Sequence, residues 1–123
     1  MLNILVVDDS PTMRQMLVFA LRRVGTLGID EAADGVEALK KLMSKQYDML
    51  ITDINMPMMD GLKLVSIVRQ NPNYKNTPII IVTTEGAAAD RDRGFALGAN
   101  EYFHKPIQAP TVAKKVKEML NIA

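Results

Sequence analysis

Three short runs of apolar residues stand out along the chain and predict buried β-strands. They lie at residues 4–7, 49–51 and 79–82, and they contain consecutive apolar residues rather than an alternation of apolar and polar ones. Continuous runs of this length are typical of central strands in a parallel sheet, because such strands are covered on both faces. Two weaker strands are predicted at residues 29–32 and 101–103.

Apolar residues at helical spacing lie between these runs and predict five helices. The first begins after Ser10, which suits an N-cap, and at Pro11, which is favoured at the first helical position. Weaker spacing predicts a helix at about residues 87–97, and the last helix is predicted from Pro110. The stripes of the first three helices, which we expect to face the core, are Met13, Met16, Leu17, Ala20, Leu21 and Val24; Val36, Leu39, Leu42 and Met43; and Leu62, Leu64, Val65 and Val68.

The alternation of strands and helices predicts an α/β fold with a parallel sheet between two layers of helices. No linker, low-complexity tract or internal repeat interrupts the 123 residues, and this length suits one domain. We therefore expect a single domain over residues 1–123, with natural termini at both ends. In sheets of this type the functional site lies beyond the carboxyl ends of the strands.

Polar residues follow four of the predicted strands at that edge. They are Asp8 and Asp9, Asp53, Thr83 and Thr84, and Lys105. Three carboxylates and one lysine are therefore expected to share a small pocket. Clustered carboxylates repel one another unless a cation lies between them, and Mg²⁺ prefers carboxylate, water and phosphate oxygens.

This set of side chains suggests phosphoryl transfer to an aspartate. A carboxylate such as Asp53 is a competent nucleophile, while Lys105 and the Thr83 hydroxyl are suited to the oxygens of a phosphoryl group. Each residue alone also has an ordinary explanation: paired aspartates often cap helices, threonines often end strands, and a lysine before a turn proline is usually solvated. Only their joint placement at one sheet edge favours a reactive site.

The composition excludes several other classes of function. The chain has 15 basic and 14 acidic residues, so its bulk charge gives no reason to expect nucleic-acid binding. It has no cysteine and one histidine, His104, which we expect at the surface or at a sheet edge. No signal peptide and no apolar run of membrane-spanning length is visible, so we expect a cytoplasmic protein without a membrane partner.

The chain resembles response-regulator receiver domains over its whole length. The residues that carry the resemblance are, in order, Asp8-Asp9, Asp53 with Asn55-Met56-Pro57 and Asp60-Gly61, Thr83, and Lys105-Pro106. No single piece is specific, but the full series at successive strand ends is. The resemblance implies a flavodoxin-like fold with a five-stranded parallel sheet in the order 2-1-3-4-5, flanked by five helices.

The resemblance also implies an acceptor and a metal site. Asp53 corresponds to the phosphoacceptor and contributes to the binding of Mg²⁺. Asp9 corresponds to a direct metal ligand, and Asp8 to an acid that holds the metal largely through water. Asn55 corresponds to the position whose backbone carbonyl binds the ion.

Further positions of the family pattern contact the phosphoryl group or change conformation when it is present. Lys105 corresponds to the lysine that contacts the phosphoryl group, before a usually cis peptide bond to Pro106. Thr83 and Tyr102 correspond to the residues that switch on activation.

Three positions are expected to tune dephosphorylation. Asn55 and Glu85 border the path of the attacking water in the family, and together they resemble the fast-resetting chemotaxis type. Thr84 stands where a small Ala or Gly is usual, so its bulk is expected to narrow access to Asp53.

By this resemblance, the chain is a switch of a two-component system rather than an enzyme. A sensor histidine kinase phosphorylates it, and it then changes its affinity for a protein partner, for which a flagellar switch protein is one candidate. We expect a monomer that acts in chemotaxis, with a phosphorelay intermediate as the alternative. The usual output face, made by the fourth helix, fifth strand and fifth helix, would include Lys114, Lys115 and Lys117 of the last helix, and also Arg91, Asp92 and Arg93.

Two other classes of protein need residues that this chain lacks. A phosphatase with an aspartyl-phosphate intermediate, of the haloacid-dehalogenase type, needs a second acid two residues after Asp53, where this chain has Asn55. A flavin-binding module needs a hydroxyl- and glycine-rich loop after the first strand, where the acidic pair Asp8-Asp9 stands, and the chain has no tryptophan to flank the ring.

Overall fold

The structure, a computed structural model, describes residues 1–84 and 88–122. Its strands are β1 (Asn3–Val7), β2 (Gly28–Ala32), β3 (Met49–Thr52), β4 (Ile79–Thr83) and β5 (Glu101–His104). Its helices are α1 (Pro11–Arg22), α2 (Gly35–Ser44), α3 (Gly61–Gln70), α4 (Ala88–Leu97) and α5 (Ala109–Leu120), with a 3-10 turn at Pro72–Tyr74. Every predicted strand is present and extends one residue further than expected.

The five strands form one parallel sheet in the order β2-β1-β3-β4-β5, which confirms the expected topology. The register aligns the ends of neighbouring strands: Val7 lies beside Ala32 on one side and beside Thr52 on the other. At the other side of the sheet, Thr83 lies beside His104, which is exposed on the edge strand. The residues that follow the strands therefore emerge along one edge of the sheet.

The sheet separates two hydrophobic clusters, because successive residues of a strand point to opposite faces. Leu5 and Ile81 belong to the cluster that includes residues of α2 and α3. Ile4, Ile51 and Ile80 belong to the cluster that includes residues of α1 and α5. Both faces are thus covered, as the continuous apolar runs predicted.

Side-chain caps fix where three of the helices begin. Ser10, Asp34 and Asp60 each accept a hydrogen bond from the backbone N–H three residues later, at the starts of α1, α2 and α3. The cap predicted at Ser10 is confirmed. Among the residues described, no helix combines the length and apolar character needed to cross a membrane.

The prediction that Met16 and Met43 face the core is wrong. Met16 on α1 is 43% exposed, and Met43 on α2 is 82% exposed. Phe19, three residues after Met16 on α1, is 64% exposed. Met13 and Leu17 are among the residues that form the buried stripe of α1, and Met16 lies at the margin of that stripe. Helical spacing alone does not show which margin a neighbouring element covers.

Two buried tyrosines, Tyr47 and Tyr74, donate hydrogen bonds to acceptors of different charge. The Tyr47 hydroxyl donates to Asp30 Oδ2 at 2.6 Å, and Lys45 Nζ lies 2.9 Å from the same oxygen. These bonds lower the pKa of Asp30, with the tyrosine hydrogen bond as the larger cause. The Tyr74 hydroxyl lies 2.8 Å from the carbonyl oxygens of Leu42 and Lys45, which carry no charge.

We expect Tyr47→Phe to lower the free energy of unfolding by about 1 kcal/mol near pH 7. Because the folded-state pKa of Asp30 is depressed, its stabilisation is present above the unfolded pKa of 3.8 and is lost as the pH falls through the folded pKa. The deficit of Tyr47→Phe should therefore shrink at about pH 3. Urea unfolding at both pH values measures it.

Tyr74→Phe is the matched control, since its acceptors do not titrate. Its loss of stability is expected to be the same at both pH values. Equal pH dependence of the two variants would contradict the role assigned to the Asp30 carboxylate.

Candidate functional site

Backbone hydrogen bonds extend the sheet by one residue and bring the polar groups together. The N–H of Asp8 donates to the last residue of β2 at 3.1 Å, and the N–H of Asp53 donates to the last residue of β1 at 3.0 Å. The N–H of Lys105 donates to the last residue of β4 at 3.0 Å. Three of the four side chains predicted to share a pocket, those of Asp8, Asp53 and Lys105, are thus positioned by the strands themselves.

Lys105 lies between two buried carboxylates. Its Nζ is 2.8 Å from Asp8 Oδ2 and 3.0 Å from Asp53 Oδ2. Asp8 is 1% exposed and Asp53 is 6% exposed. The peptide bond from Lys105 to Pro106 is cis, as expected from the resemblance. The predicted grouping of these three residues is therefore confirmed.

Burial and pairing oppose one another in the ionisation of these groups. Burial raises the pKa of Asp8, although the hydrogen bond from Lys105 acts in the opposite direction. Burial by itself lowers the pKa of Lys105, but the hydrogen bonds to Asp8 and Asp53 outweigh it, so the lysine pKa is raised. Lys105 therefore stays protonated between the two acids.

Asp9 joins the two buried acids to form a potential cation site. Carboxylate oxygens of Asp8, Asp9 and Asp53 lie within 4.8 Å of one another, with Asp9 exposed. The other oxygens of the buried pair accept backbone N–H groups, Asp8 from Ser10 at 2.9 Å and Asp53 from Ile54 at 2.7 Å. The cluster contains three carboxylates but only one ammonium group, so negative charge is in excess. A set of oxygen ligands with excess negative charge fits a hard divalent cation.

The remaining predicted site residues follow β3 or lie at and just after the end of β4. Asn55 is exposed, and its backbone N–H lies 3.4 Å from Asp53 Oδ1. Thr83 is fully buried at the carboxyl end of β4, beside the end of β5 from which Lys105 follows. Thr84 is exposed. Glu85 lies outside the described residues.

Tyr102 is placed by the central part of β5. It lies beside Ile81 of β4 in the register, and its half-buried side chain packs against the cluster that includes residues of α2 and α3. It is therefore on the strand that ends one residue before Lys105, two residues from the end of that strand. Tyr102 therefore contacts the core and lies on the edge strand that leads to Lys105.

Comparison with protein families shows to which family the chain belongs. A family model described as the response regulator receiver domain matches residues 4–117. The chain belongs to the response regulator receiver domains. Members of this family are signalling switches rather than conventional enzymes.

Individual receiver domains agree with this assignment. A chemotaxis protein CheY homolog of Campylobacter jejuni is 43% identical over 97% of this chain and 92% of its own length. The structure of chemotaxis protein CheY4 from Vibrio cholerae has a TM-score of 0.89 at 39% identity, covering 97% of this chain and 98% of that one. The receiver domain of a sensor histidine kinase from Pseudomonas aeruginosa has a TM-score of 0.87 at 26% identity, covering 98% of both chains, with a magnesium ion coordinated in its active site cleft.

Arg14 is a residue of the receiver site that the sequence did not reveal. Its Nη1 donates to the backbone carbonyl of Asp8 at 2.6 Å, and its Nε donates to Glu31 on β2 at 3.1 Å. The guanidinium group therefore holds the backbone of the acidic pair against the edge strand. An arginine on the first turns of a helix gives no sequence signal for such a contact.

Gly61 is a second residue of the site whose role the sequence did not reveal, and that role is steric. Its N–H donates to Ile54 O at 2.8 Å, and a Cβ at this position would collide with the carbonyl oxygen of Asp53. The start of α3 can approach the backbone of Asp53 and Ile54 this closely only without a side chain. In the sequence, the Asp60-Gly61 pair indicated only the family resemblance.

We expect Gly61→Ala to lower the free energy of unfolding by about 2 kcal/mol, because the obstacle is backbone and cannot rotate away. Urea unfolding of this variant and of the parent protein measures the effect.

Gly94→Ala is the matched control, because a Cβ at residue 94 meets the far end of the flexible Ile81 side chain. It should change stability by less than about 1 kcal/mol, since alanine also favours the helix. Equal losses for both variants would contradict the steric role of Gly61.

Proposed function

We propose that the chain is a phosphorylation-activated switch of a two-component system, made of a single receiver domain. A sensor histidine kinase transfers a phosphoryl group to Asp53 in a Mg²⁺-dependent reaction, and the modified chain changes its affinity for a protein partner. The observation that carries the proposal is the Lys105 ammonium group between the buried carboxylates of Asp8 and Asp53, with Asp9 beside them.

The acidic residues supply the metal site of this proposal. The carboxylates of Asp8, Asp9 and Asp53 and the backbone carbonyl of Asn55 would hold Mg²⁺. When bound, the ion offsets the negative charge of the carboxylates and of the incoming phosphoryl oxygens. Lys105 adds a second positive charge, at 3.0 Å from Asp53.

Asp53 is the nucleophile. A carboxylate oxygen of Asp53 forms a bond to phosphorus while the bond from phosphorus to the donor histidine nitrogen breaks, and that nitrogen keeps the electron pair. The backbone N–H of Ile54, 2.7 Å from Asp53 Oδ1, orients the carboxylate. Lys105 and the Thr83 hydroxyl then contact the phosphoryl oxygens.

The switch runs through β4 and β5. Thr83 and Tyr102 lie on the adjacent strands β4 and β5, and Thr83 pairs with His104, the residue before Lys105. A movement of Thr83 would therefore displace the end of β5. We propose that phosphorylation selects between two arrangements of these residues, which the partner distinguishes.

The proposed lifetime of the modification depends on three positions. Asn55 and Glu85 are proposed to border the path of the hydrolytic water, which favours rapid reset. Thr84 is exposed directly after β4, and its side chain is proposed to narrow the approach of water or of a phosphoryl donor to Asp53. Shortening it to Ala should change the rate of dephosphorylation.

Chemotaxis is the proposed setting, because the Campylobacter and Vibrio proteins described above are chemotaxis proteins. A chemotaxis kinase would be the donor, and a flagellar switch protein the partner. In this proposal the chain acts as a monomer in the cytoplasm.

Labelling with acetyl phosphate tests the proposed chemistry directly. In the presence of Mg²⁺ we expect one acid-stable, base-labile phosphoryl group per chain, detected by intact mass. Chelation of the metal should prevent its formation. Equal labelling without divalent metal, or several labelled sites, would refute the proposal.

A further inference from the structure

Asp9 is the acid of the proposed metal site whose side chain has the least support. It is exposed, whereas Asp8 and Asp53 are buried. Each buried acid contacts Lys105 and accepts a backbone N–H, but across residues 1–84 and 88–122 no hydrogen bond or ion pair holds the Asp9 carboxylate. The orientation of Asp9 therefore depends on the backbone that carries it, and first on the peptide bond that joins it to Asp8.

The peptide bond between Asp8 and Asp9 is fixed by Arg14. The N–H of Asp8 donates to the last residue of β2 at 3.1 Å, and its two carboxylate oxygens accept hydrogen bonds from Ser10 and Lys105. Its carbonyl oxygen, which lies in the peptide plane leading to Asp9, accepts Arg14 Nη1 at 2.6 Å. No backbone N–H of the described chain donates to this carbonyl, so the guanidinium group takes the place of a sheet hydrogen bond.

Arg14 is itself held in place by the edge strand. Its Nε donates to Glu31 Oε1 at 3.1 Å, and its side chain is only 18% exposed. The backbone carbonyl of Glu31 in turn accepts Lys41 Nζ from α2 at 2.6 Å. Because a guanidinium group is planar and its donors point in fixed directions, the contact with Glu31 sets the direction in which Nη1 reaches the Asp8 carbonyl.

We propose that Arg14 is a positioning residue of the metal site, which raises the affinity for Mg²⁺ by holding the Asp9 carboxylate beside those of Asp8 and Asp53. Groups that orient metal ligands without touching the ion typically contribute about tenfold or more to metal affinity. The inference rests on the proposed function, because it concerns the same Mg²⁺ site. It adds a basic residue of α1 to that site.

The charge and the position of Arg14 affect metal binding in opposite directions. A positive charge next to the acidic cluster repels a divalent cation, so loss of the charge alone would tighten the binding of Mg²⁺. Loss of the hydrogen bond to the Asp8 carbonyl frees the peptide plane, and this change would weaken the binding. The sign of the change in affinity therefore separates a positioning role from a purely electrostatic one.

Arg14→Met is the decisive variant, because methionine is an unbranched helix former that keeps most of the length and loses all donors. Isothermal titration calorimetry with MgCl₂ measures the Kd of the metal-free protein and of the variant. We expect the Kd of Arg14→Met to be at least about tenfold higher than that of the parent protein.

Arg22→Met is the matched control. Arg22 also lies on α1 and donates through Nη1 to a backbone carbonyl, that of Leu27, at 3.0 Å. Its loss removes the same charge and the same kind of hydrogen bond at the other end of the helix. The Kd for Mg²⁺ of this variant should stay within about twofold of the parental value.

Arg14→Lys tests the geometry while it retains the charge. One ammonium group on a flexible chain does not reproduce the two donors that reach the Asp8 carbonyl and Glu31 in fixed directions. This variant should also bind Mg²⁺ more weakly, by about threefold or more, and its circular dichroism should match that of the parent protein. A merely structural role would lower the urea stability of the metal-free variants but leave the Kd of the folded proteins unchanged.

The dependence of labelling on metal concentration provides a second readout. With acetyl phosphate as donor, the Mg²⁺ concentration for half-maximal labelling rate should rise for Arg14→Met in proportion to the Kd. The rate at saturating Mg²⁺ should return to that of the parent protein, because Arg14 contacts the Asp8 backbone and Glu31 rather than Asp53 or Lys105.

Unchanged or tighter Mg²⁺ binding by Arg14→Met would overturn the inference, and so would equal weakening by Arg22→Met. In either case the parent protein still binds the metal, so the proposed function stands. A parent protein that binds no Mg²⁺ would overturn the proposed metal site and this inference together. The titration of the parent protein therefore distinguishes the two failures.

Discussion

Asp53→Asn is expected to abolish Mg²⁺-dependent phosphoryl labelling completely. An uncharged carboxamide is a poor nucleophile toward phosphorus and a weak ligand for a divalent cation. The substitution is nearly isosteric, and an amide oxygen still accepts the hydrogen bond that Ile54 donates at 2.7 Å. The loss should therefore be chemical rather than structural. Intact mass after incubation with acetyl phosphate and Mg²⁺ measures it.

Asp60→Asn is the control for this experiment. Asp60 lies seven residues further along the same loop region and caps α3, a role in which asparagine performs as well as aspartate. This variant should label like the parent protein. Undiminished labelling of Asp53→Asn, with the modification on another residue, would remove Asp53 from its proposed role.

Much of the fold follows from local pattern. The three apolar runs predicted central strands because only strands covered on both faces have no polar alternation, and all three are buried. The parallel arrangement then places every strand-end residue at one edge, which is why Asp8, Asp53 and Lys105 were expected together. Their distances of 2.8 and 3.0 Å confirm an inference made from order along the chain.

What could not be predicted depends on contacts between elements. Met16 and Phe19 are exposed because no neighbouring element covers that margin of α1, and spacing along one helix does not encode which margin is covered. Arg14 reaches a backbone carbonyl, and Gly61 avoids one, so neither contact depends on the side chain of its partner. Such contacts leave no pairwise signature in a single sequence.

The site also illustrates a conflict between stability and function. Two buried carboxylates beside a third are unfavourable, and burial raises the pKa of Asp8 accordingly. In the metal-free protein, Lys105 offsets the repulsion between the buried carboxylates. In the proposed reaction it also neutralises the charge of the phosphoryl group. Removing it should expose both roles.

Lys105→Met is expected to lower the free energy of unfolding of the metal-free protein by about 3 kcal/mol, because it leaves Asp8 and Asp53 buried without their shared cation. Mg²⁺ at millimolar concentration should stabilise this variant more than the parent protein, since the ion replaces the lost positive charge. Urea unfolding with and without Mg²⁺ measures both effects.

The conservative variant and the pH distinguish charge from packing as the cause. Lys105→Arg keeps the positive charge and should lose much less stability in the metal-free state than Lys105→Met. The deficit of Lys105→Met should also shrink under acidic conditions, because protonation of one carboxylate removes the repulsion between the pair. If the arginine variant is as unstable as the methionine variant, and Mg²⁺ stabilises all three proteins equally, then the lysine acts by its shape. In that case its charge does not balance the acids, and the electrostatic account of the site is wrong.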